Sequence, residues 1–287
     1  MLTSEEWKNH EKISVLTSIA TSCTLAIGTM TYAFASPLSE NSRDLDDQEL
    51  ATIVAQATPD KVAINNIEAV PTEDGYLSRG DVDVEIPKDT YKPVAITSTN
   101  SPSPTSSAKL FLDPEVKSKG SLTEDGSVVY AGENLAQTVQ ATKDGVRINT
   151  VITSIDSPQE FHHTLDLSSD LRLVTGAELE QLTPPEGRTE PLKGVYILNS
   201  NNDLVGGISA PWAIDAKGME VPTYYTIEGN AVIQHVEHRG ADVTYPVVAD
   251  PWLGFDLIST ARWEHRGEGW TLKVSPTGWA RANAPGY

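Results

Sequence analysis

The chain has 287 residues, of which 21 are basic and 40 acidic, and its formal net charge is −19 at pH 7. Such an acidic surface repels nucleic acid phosphates and anionic lipids, which argues against both as partners of the folded chain. The hydrophobic share of 39% is low for a single compact domain and too high for a wholly disordered chain. The composition therefore predicts an ordered core joined to a disordered part.

Residues 13 to 35 form a charge-free apolar run, ISVLTSIATSCTLAIGTMTYAFA. Its end, AFA followed by Ser36, has the small-x-small form of a signal peptidase site. We expect residues 1–35 to be a signal peptide, cleaved between Ala35 and Ser36, and the protein to be secreted or at the cell surface. Two alternatives are an uncleaved anchor, because about 20 apolar residues can span a bilayer, and lipidation of Cys23.

Residues 36–108 read as an acidic, Ser/Thr/Pro-rich arm. The stretch SRDLDDQELATIVAQA predicts one short helix with Asp44 or Asp46 near its N-terminus. The stretch DVDVEIP alternates as a strand does, and TSTNSPSPTSSA, residues 97 to 108, is typical of a linker. We expect this arm to be largely disordered or loosely attached.

Two hairpins are predicted further along the chain. The run LAQTVQATKDGVRINTVITSI indicates a tight turn at Asp144 and Gly145, because Asp-Gly readily supplies the positive φ angles that such turns require. The run VPTYYTIEGNAVIQHVEH indicates a second hairpin around EGN. The segment GAELEQL, residues 176 to 182, predicts one or two turns of helix.

The spacing of these elements predicts an all-β fold, an antiparallel β-sandwich-like domain over residues 109–251. The strands are short and β-branched, and turn signals recur about every 8–12 residues. Pro251 should end the last strand, because proline cannot donate the next ladder hydrogen bond. Trp252 would then begin a partial C-terminal module, residues 252–287.

The stretch APWAIDAKGMEVPTYYTIEGNAVIQHVEHRGADVTYPVVADP resembles a module of exported actinobacterial proteins. That module ends at a YPVVADP junction, and variable C-terminal domains follow it. The segment TARWEHRGEGWTLKVSPTGWARA resembles the start of a small C-terminal domain of unknown function, which usually continues further and contains a cysteine pair. The resemblance covers residues 120 to 285, implies a truncated last domain, and implies no activity, since the family has no established catalytic residues.

Four histidines are candidates for metal ligands: His162, His163, His235 and His238. A zinc site needs three or four converging ligands at about 2 Å. In a strand, residues 235 and 237 share a face while 238 points the other way. We therefore favour polar histidines on a solvated face, or histidines bonded to backbone carbonyl groups, and predict no metal site.

Asp81, Asp83 and Glu85 lie on one face of the strand predicted by DVDVEIP. Carboxylates in such a row can bind calcium, but a charged edge that discourages sheet aggregation is the commoner cause. Five aromatic residues pose a similar choice between a glycan-binding groove and a sandwich core: Trp212, Tyr224, Tyr225, Tyr245 and Trp252. We favour the core for these.

The sequence contains no G-x-S-x-G, H-E-x-x-H or P-loop motif. We therefore predict a module that is not an enzyme, a scaffold or binding domain without catalytic, cofactor-binding or metal residues. Its expected partners are the cell wall or another extracellular protein, and it meets the membrane only through an uncleaved signal segment. The alternatives are a carrier for a C-terminal enzyme or toxin domain, and a protein that binds cell-wall glycan.

Overall fold

A computed structural model describes residues 45–59, 66–99, 107–116, 118–143, 145–182, 191–255, 262–266 and 269–273. The helices are α1 (Asp47–Ala57) and α2 (Gly176–Leu182). The strands are β1 (Val70–Pro71), β2 (Gly75–Arg79), β3 (Val82–Pro87), β4 (Val94–Ser98), β5 (Ser107–Phe111), β6 (Ser121–Leu122), β7 (Val128–Ala131), β8 (Leu135–Thr142), β9 (Gly145–Ile152), β10 (Glu160–Asp166), β11 (Leu171–Thr175), β12 (Val195–Asn199), β13 (Leu204–Ile208), β14 (Ala213–Ile214), β15 (Thr223–Glu228), β16 (Ala231–Val236), β17 (Val247–Ala249), β18 (Trp252–Phe255), β19 (Arg262–Arg266) and β20 (Gly269–Lys273).

These strands form two large sheets and one hairpin. The first sheet has eight strands in the order β1-β2-β3-β4-β5-β10-β16-β15. The second has ten, with the order β11-β12-β13-β18-β9-β8-β7-β6 and with β17 joined to β9 and β14. Strands β19 and β20 pair with each other. All of the pairings between the described strands are antiparallel.

One hydrophobic core lies between the two large sheets. Strand β3 turns one face toward this core, because Val84 and Ile86 are buried while Glu85 between them is exposed. The inward residues of the first sheet share this core with Val139 and Ile148 of the second. Burial of apolar faces on both sheets drives their packing. The predicted all-β, antiparallel β-sandwich-like fold is confirmed.

The two helices cover the outer face of the second sheet. Helix α1 begins after Asp46, whose side chain accepts from the backbone N–H of Glu49 in a capping box, so the predicted helix is confirmed. Its apolar face packs with Trp212 on the sheet. Leu179 of α2 packs with Trp252 at the other end of the sheet.

Much of the segment predicted to be a disordered or loosely attached arm is folded into the first sheet. Strands β1 to β4 fall within residues 36–108, and they form half of the first sheet. Val84 and Ile96 in these strands are fully buried. The prediction failed here because outward acids such as Asp83 lower the average hydropathy of strands whose other face is apolar. Residues 36–44, 60–65 and 100–106 lie outside the described residues.

The sheet continues past Pro251, in contrast to the expectation that its last strand ends there: β17 ends at Ala249, and β18 begins at Trp252 in the same sheet. Ala249 pairs with Thr150 and Trp252 pairs with Arg147, so β17 and β18 follow β9 in one register. The carbonyl oxygen of Pro251 still accepts a hydrogen bond from the backbone of β9, at 2.8 Å. Proline therefore removes a single donor from the ladder. Strand β18 continues between β9 and β13.

The tight turn between β8 and β9 is one residue earlier than predicted. Thr142 pairs with Gly145, so Gly145 is the first residue of β9 and not a turn residue, and Asp144 lies outside the described residues. Gly145 is not among the residues with positive φ. The constraint that favours glycine at position 145 is close packing, because a Cβ there would collide with the carbonyl oxygen of Leu253 on β18. The hairpin around EGN is confirmed, with Gly229 at φ 60°.

Candidate functional site

The predicted cleavage site, Ala35 and Ser36, lies outside the described residues. Within the described ranges, no helix combines the length and the apolar character that crossing a bilayer requires. Within the same ranges, no group of three or more His, Cys, Asp or Glu side chains is placed to hold a metal ion.

An exposed aromatic cluster, the Tyr224 patch, lies on the outer face of the first sheet. It consists of Glu160, Tyr224, Thr226 and His235. The rings of Tyr224 and His235 stack, with centroids 4.6 Å apart and planes 8° from parallel. His235 Nε2 lies 2.8 Å from the Thr226 hydroxyl, and Nδ1 lies 3.5 Å from a Glu160 oxygen. The imidazole is thus fixed on both edges, and Tyr224 remains 47% exposed.

His238 ties two loops together and is buried. Its Nε2 lies 2.9 Å from the carbonyl oxygen of Pro158, which only accepts, so Nε2 carries a hydrogen and donates. Its Nδ1 lies 2.8 Å from the hydroxyl of Tyr245. Burial lowers the pKa of His238, Arg239 lowers it further, and the bond to Pro158 opposes the change. This histidine is structural, in agreement with the predicted bond to a backbone carbonyl.

His163 faces the core between the sheets, whereas its neighbour His162 lies on the outer face of β10. Neither ring nitrogen of His163 has a hydrogen-bond partner among the described residues. Burial, and to a lesser degree His162, lowers the pKa of His163 to about 3. The ring is therefore neutral at physiological pH, and the position corrects the expectation that this histidine lies on a solvated face or bonds to a carbonyl group.

The acids that raised the possibility of calcium are in ion pairs or open to solvent. Asp81 lies 3.3 Å from Lys143, and Asp83 lies 2.8 Å from Arg79. Glu85 is exposed on the same face. These contacts fit the charged sheet face that the sequence favoured.

The five aromatic candidates do not form a groove. Trp212 packs under α1 and Trp252 under α2. Tyr225 and Tyr245 pack against the core between the sheets. Tyr224 alone among the five is an exposed large side chain. The core interpretation is therefore correct for the two tryptophans.

A buried charged pair lies at the junction between β17 and β18. Asp250 is 1% exposed and Arg147 is 3% exposed. Arg147 Nε lies 4.0 Å from Asp250 Oδ2, and the backbone N–H of Trp212 donates to Oδ1 at 3.4 Å. From the other side, the Tyr225 hydroxyl donates to the carbonyl oxygen of Asp250, at 3.5 Å.

Burial raises the pKa of the Asp250 carboxyl to about 7, although Arg147 and the backbone N–H of Trp212 lower it. Burial likewise lowers the pKa of Arg147, against the effect of Asp250. Burial and the neighbouring Asp250 raise the pKa of Tyr225 well above its usual range. Tyr225 is therefore a hydrogen-bond donor at all physiological pH values. Perturbed groups of this kind are typical of functional sites and of structural ion pairs alike.

Neither the stacked ring pair nor the buried charged pair is predicted by the sequence patterns. The pairing of Tyr224 with His235 follows from the two-residue hairpin loop at Gly229, since the register continues outward from the turn. An arginine inside a run of buried strand residues, GVRINTVI, was the signal for Arg147. No protein-family model, curated protein or solved structure matches the chain.

Proposed function

We propose that this protein is an exported, non-catalytic β-sandwich module that acts at the cell surface or outside the cell as a scaffold or binding domain. The charge-free run before Ser36 supports export. Several buried polar groups already serve the fold: His238 ties two loops together, and Asp215 accepts three backbone N–H groups.

The observation that carries the binding role is the Tyr224 patch. Tyr224 presents an aromatic ring on a sheet face, and its neighbour His235 is held by Thr226 and Glu160. Aromatic rings on rigid strands give contact area at low cost in conformational entropy. A ring next to a carboxylate and a hydroxyl suits the apolar face and the hydroxyl groups of a sugar. We propose cell-wall glycan as the partner, and another extracellular protein as the alternative.

Binding to purified cell wall tests this role. We expect the Tyr224→Ala variant to bind about tenfold more weakly than the wild type, the effect of losing about 1.4 kcal/mol of ring contact. Tyr91→Ala is the matched control, because Tyr91 is 76% exposed in a turn outside the patch. Equal binding by Tyr224→Ala and the control would contradict the patch as the site. Absence of binding by the wild type would contradict the glycan partner.

Export is tested at the cleavage site. In a secreting host, mass spectrometry of the culture medium should find a chain that begins at Ser36. Ala35→Arg should block this cleavage, because the peptidase requires a small residue there. Phe34→Leu changes the tolerant middle position and serves as the control. A chain that begins at Met1 in the membrane fraction would favour the uncleaved anchor.

A second proposed role is that of a carrier for a C-terminal enzyme or toxin domain. Strand β18 supports it, because the chain that leaves this strand is attached through hydrogen bonds to both β9 and β13. A carrier needs such a rigid attachment. Fusion of a reporter domain after Tyr287 should leave the melting temperature of the sandwich unchanged.

A further inference from the structure

The peptide bond between Asp250 and Pro251 is of a type that is unusually easy to cleave. An aspartate side chain can reach the carbon of its own main-chain carbonyl through a five-membered ring. Proline nitrogen is a better leaving group than other peptide nitrogens, because it leaves as a secondary amine that binds a proton strongly. An Asp-Pro bond is therefore the peptide bond most readily broken by the adjacent carboxyl group.

The fold holds this bond in place on several sides. The backbone N–H of Asp250 donates to the carbonyl oxygen of Trp212 at 3.3 Å, and the carbonyl oxygen of Pro251 accepts from Ile148 at 2.8 Å. The Tyr225 hydroxyl donates to the carbonyl oxygen of the bond itself. Asp250 Oδ2 accepts no hydrogen bond from the described residues, and its charged neighbour is Arg147, whose Nε lies 4.0 Å away.

We propose that the chain cleaves itself between Asp250 and Pro251, with the Asp250 carboxyl group as nucleophile and the Tyr225 hydroxyl as the donor that stabilises the oxyanion. The hydroxyl lies 3.5 Å from that oxygen before the reaction, and a donor that closes on the developing negative charge lowers the barrier. The reaction happens once per chain, so it goes beyond the proposed binding role and does not depend on it.

The reaction balances with water as the sole co-reactant. A carboxyl oxygen of Asp250 attacks the carbon of its own main-chain carbonyl, and an electron pair moves to the carbonyl oxygen beside Tyr225. When the carbonyl re-forms, the C–N bond to Pro251 breaks and the carboxyl proton passes to the proline nitrogen. The products are a cyclic anhydride at Asp250 and a free prolyl amine. One water molecule then opens the anhydride to two carboxyl groups, which makes the cleavage irreversible.

The electrostatics of the site supply the proton that this reaction needs. Two titratable groups act on Asp250: Arg147 on β9 and Tyr225 on β15. Burial raises the pKa of Asp250 to about 7 in spite of Arg147, so much of the carboxyl group keeps its proton near neutral pH. An exposed aspartate loses its proton near a pKa of about 3.9. The cleavage rate should therefore be constant below about pH 7 and fall about tenfold per unit above it.

A second Asp-Pro bond, between Asp113 and Pro114, provides an internal control. Asp113 is also 1% exposed. Its two carboxyl oxygens, however, accept from the backbone N–H groups of Glu115, at 2.9 Å, and His162, at 2.7 Å. Both potential nucleophilic oxygens are thus occupied. The two bonds share the same local chemistry and differ in their folded surroundings.

The experiment follows the full-length purified protein at pH 5, 7 and 9, with and without denaturant. Denaturing gels and intact-mass spectrometry separate the fragments, which would stay associated in the folded state because β18 pairs with β9 and β13. The folded chain should be cut at Asp250–Pro251 and not at Asp113–Pro114, with the loss of rate above pH 7. In denaturant this preference should disappear. Equal cutting at both bonds in the folded chain, or no cutting at Asp250–Pro251, would overturn the proposal.

Variants separate the proposed chemistry from contaminating protease. Pro251→Ala removes the leaving group and Asp250→Asn removes the carboxyl nucleophile, so both should abolish the cut. Tyr225→Phe should slow it about 10- to 100-fold, as expected for loss of one oxyanion donor. Thermal melts establish that each variant is folded. An unchanged rate in folded Pro251→Ala or Tyr225→Phe would overturn the assigned roles.

Discussion

Replacement of Arg147 by methionine should lower the free energy of unfolding by about 3–5 kcal/mol, because one member of a buried ion pair is then left without the other. The side chains of Arg147 and Asp250 are 4% and 1% exposed. Methionine occupies a similar volume without the charge, so the loss comes from electrostatics rather than from a cavity. Urea unfolding followed by circular dichroism at pH 8 measures it.

The pH dependence of this loss identifies its cause. A carboxyl group whose pKa is raised in the folded state favours folding below its unfolded pKa, and this contribution disappears as the pH rises through the folded pKa. Asp250 has such a raised pKa, and Arg147 is what lowers it toward about 7. In Arg147→Met the pKa should rise further, so the destabilisation should be larger at pH 8 than at pH 5.

The double variant Arg147→Met with Asp250→Asn is the matched control. It removes the carboxylate that the single variant leaves buried, and it should recover most of the lost stability at pH 8. The same loss at pH 5 and pH 8, or a double variant no more stable than the single one, would mean that packing rather than charge is responsible.

Gly145→Val should destabilise the protein by about 3 kcal/mol, because the new Cβ meets the backbone of β18. Gly145→Asn should be damaging as well, although asparagine tolerates left-handed turns, since the constraint is close approach and not positive φ. The control is Gly240→Ala, whose Cβ would meet Val243 at an ordinary 3.6 Å. Denaturant unfolding of the three variants measures the change in the free energy of unfolding for each. If valine at position 145 costs no more than alanine at position 240, the close contact with β18 is not a constraint.

The features predicted correctly from the sequence are local ones, namely hairpins and a helix cap. The Asp-Gly and EGN signals lie between alternating runs, and both runs form hairpins, although Gly145 of the first signal is already the first residue of β9. The cap of α1 at Asp46 was likewise visible in a few residues. Turn chemistry and helix capping depend on neighbours along the chain, so they can be read without tertiary knowledge.

The errors arose where a property was averaged or where a contact was distant in sequence. Composition over residues 36–108 concealed strands such as β3, whose outward Asp83 and Glu85 alternate with buried valines. Proline interrupts the sheet only briefly, because β17 before Pro251 and β18 after it pair with β9 in the same register.

The contacts of the candidate site also differ in how far apart their residues lie in the sequence. The pairing of Tyr224 with His235 could be predicted from the sequence, because both residues belong to one hairpin whose loop is marked by EGN. The pair of Arg147 and Asp250 could not be predicted, because it depends on the antiparallel pairing of β17 and β18 with β9, which is distant in sequence. No periodicity reports which strands become neighbours when they are far apart in the chain.

The position of β18 also sets how the molecule would respond to mechanical force. A load applied to the chain beyond Phe255 would reach the sandwich through this strand. Ladder hydrogen bonds lie perpendicular to the strand axis, so a pull along β18 would strain its bonds to β9 and β13 together instead of opening them one by one. Shear of this kind requires many bonds to fail at once, so β18 should resist a pull along its axis.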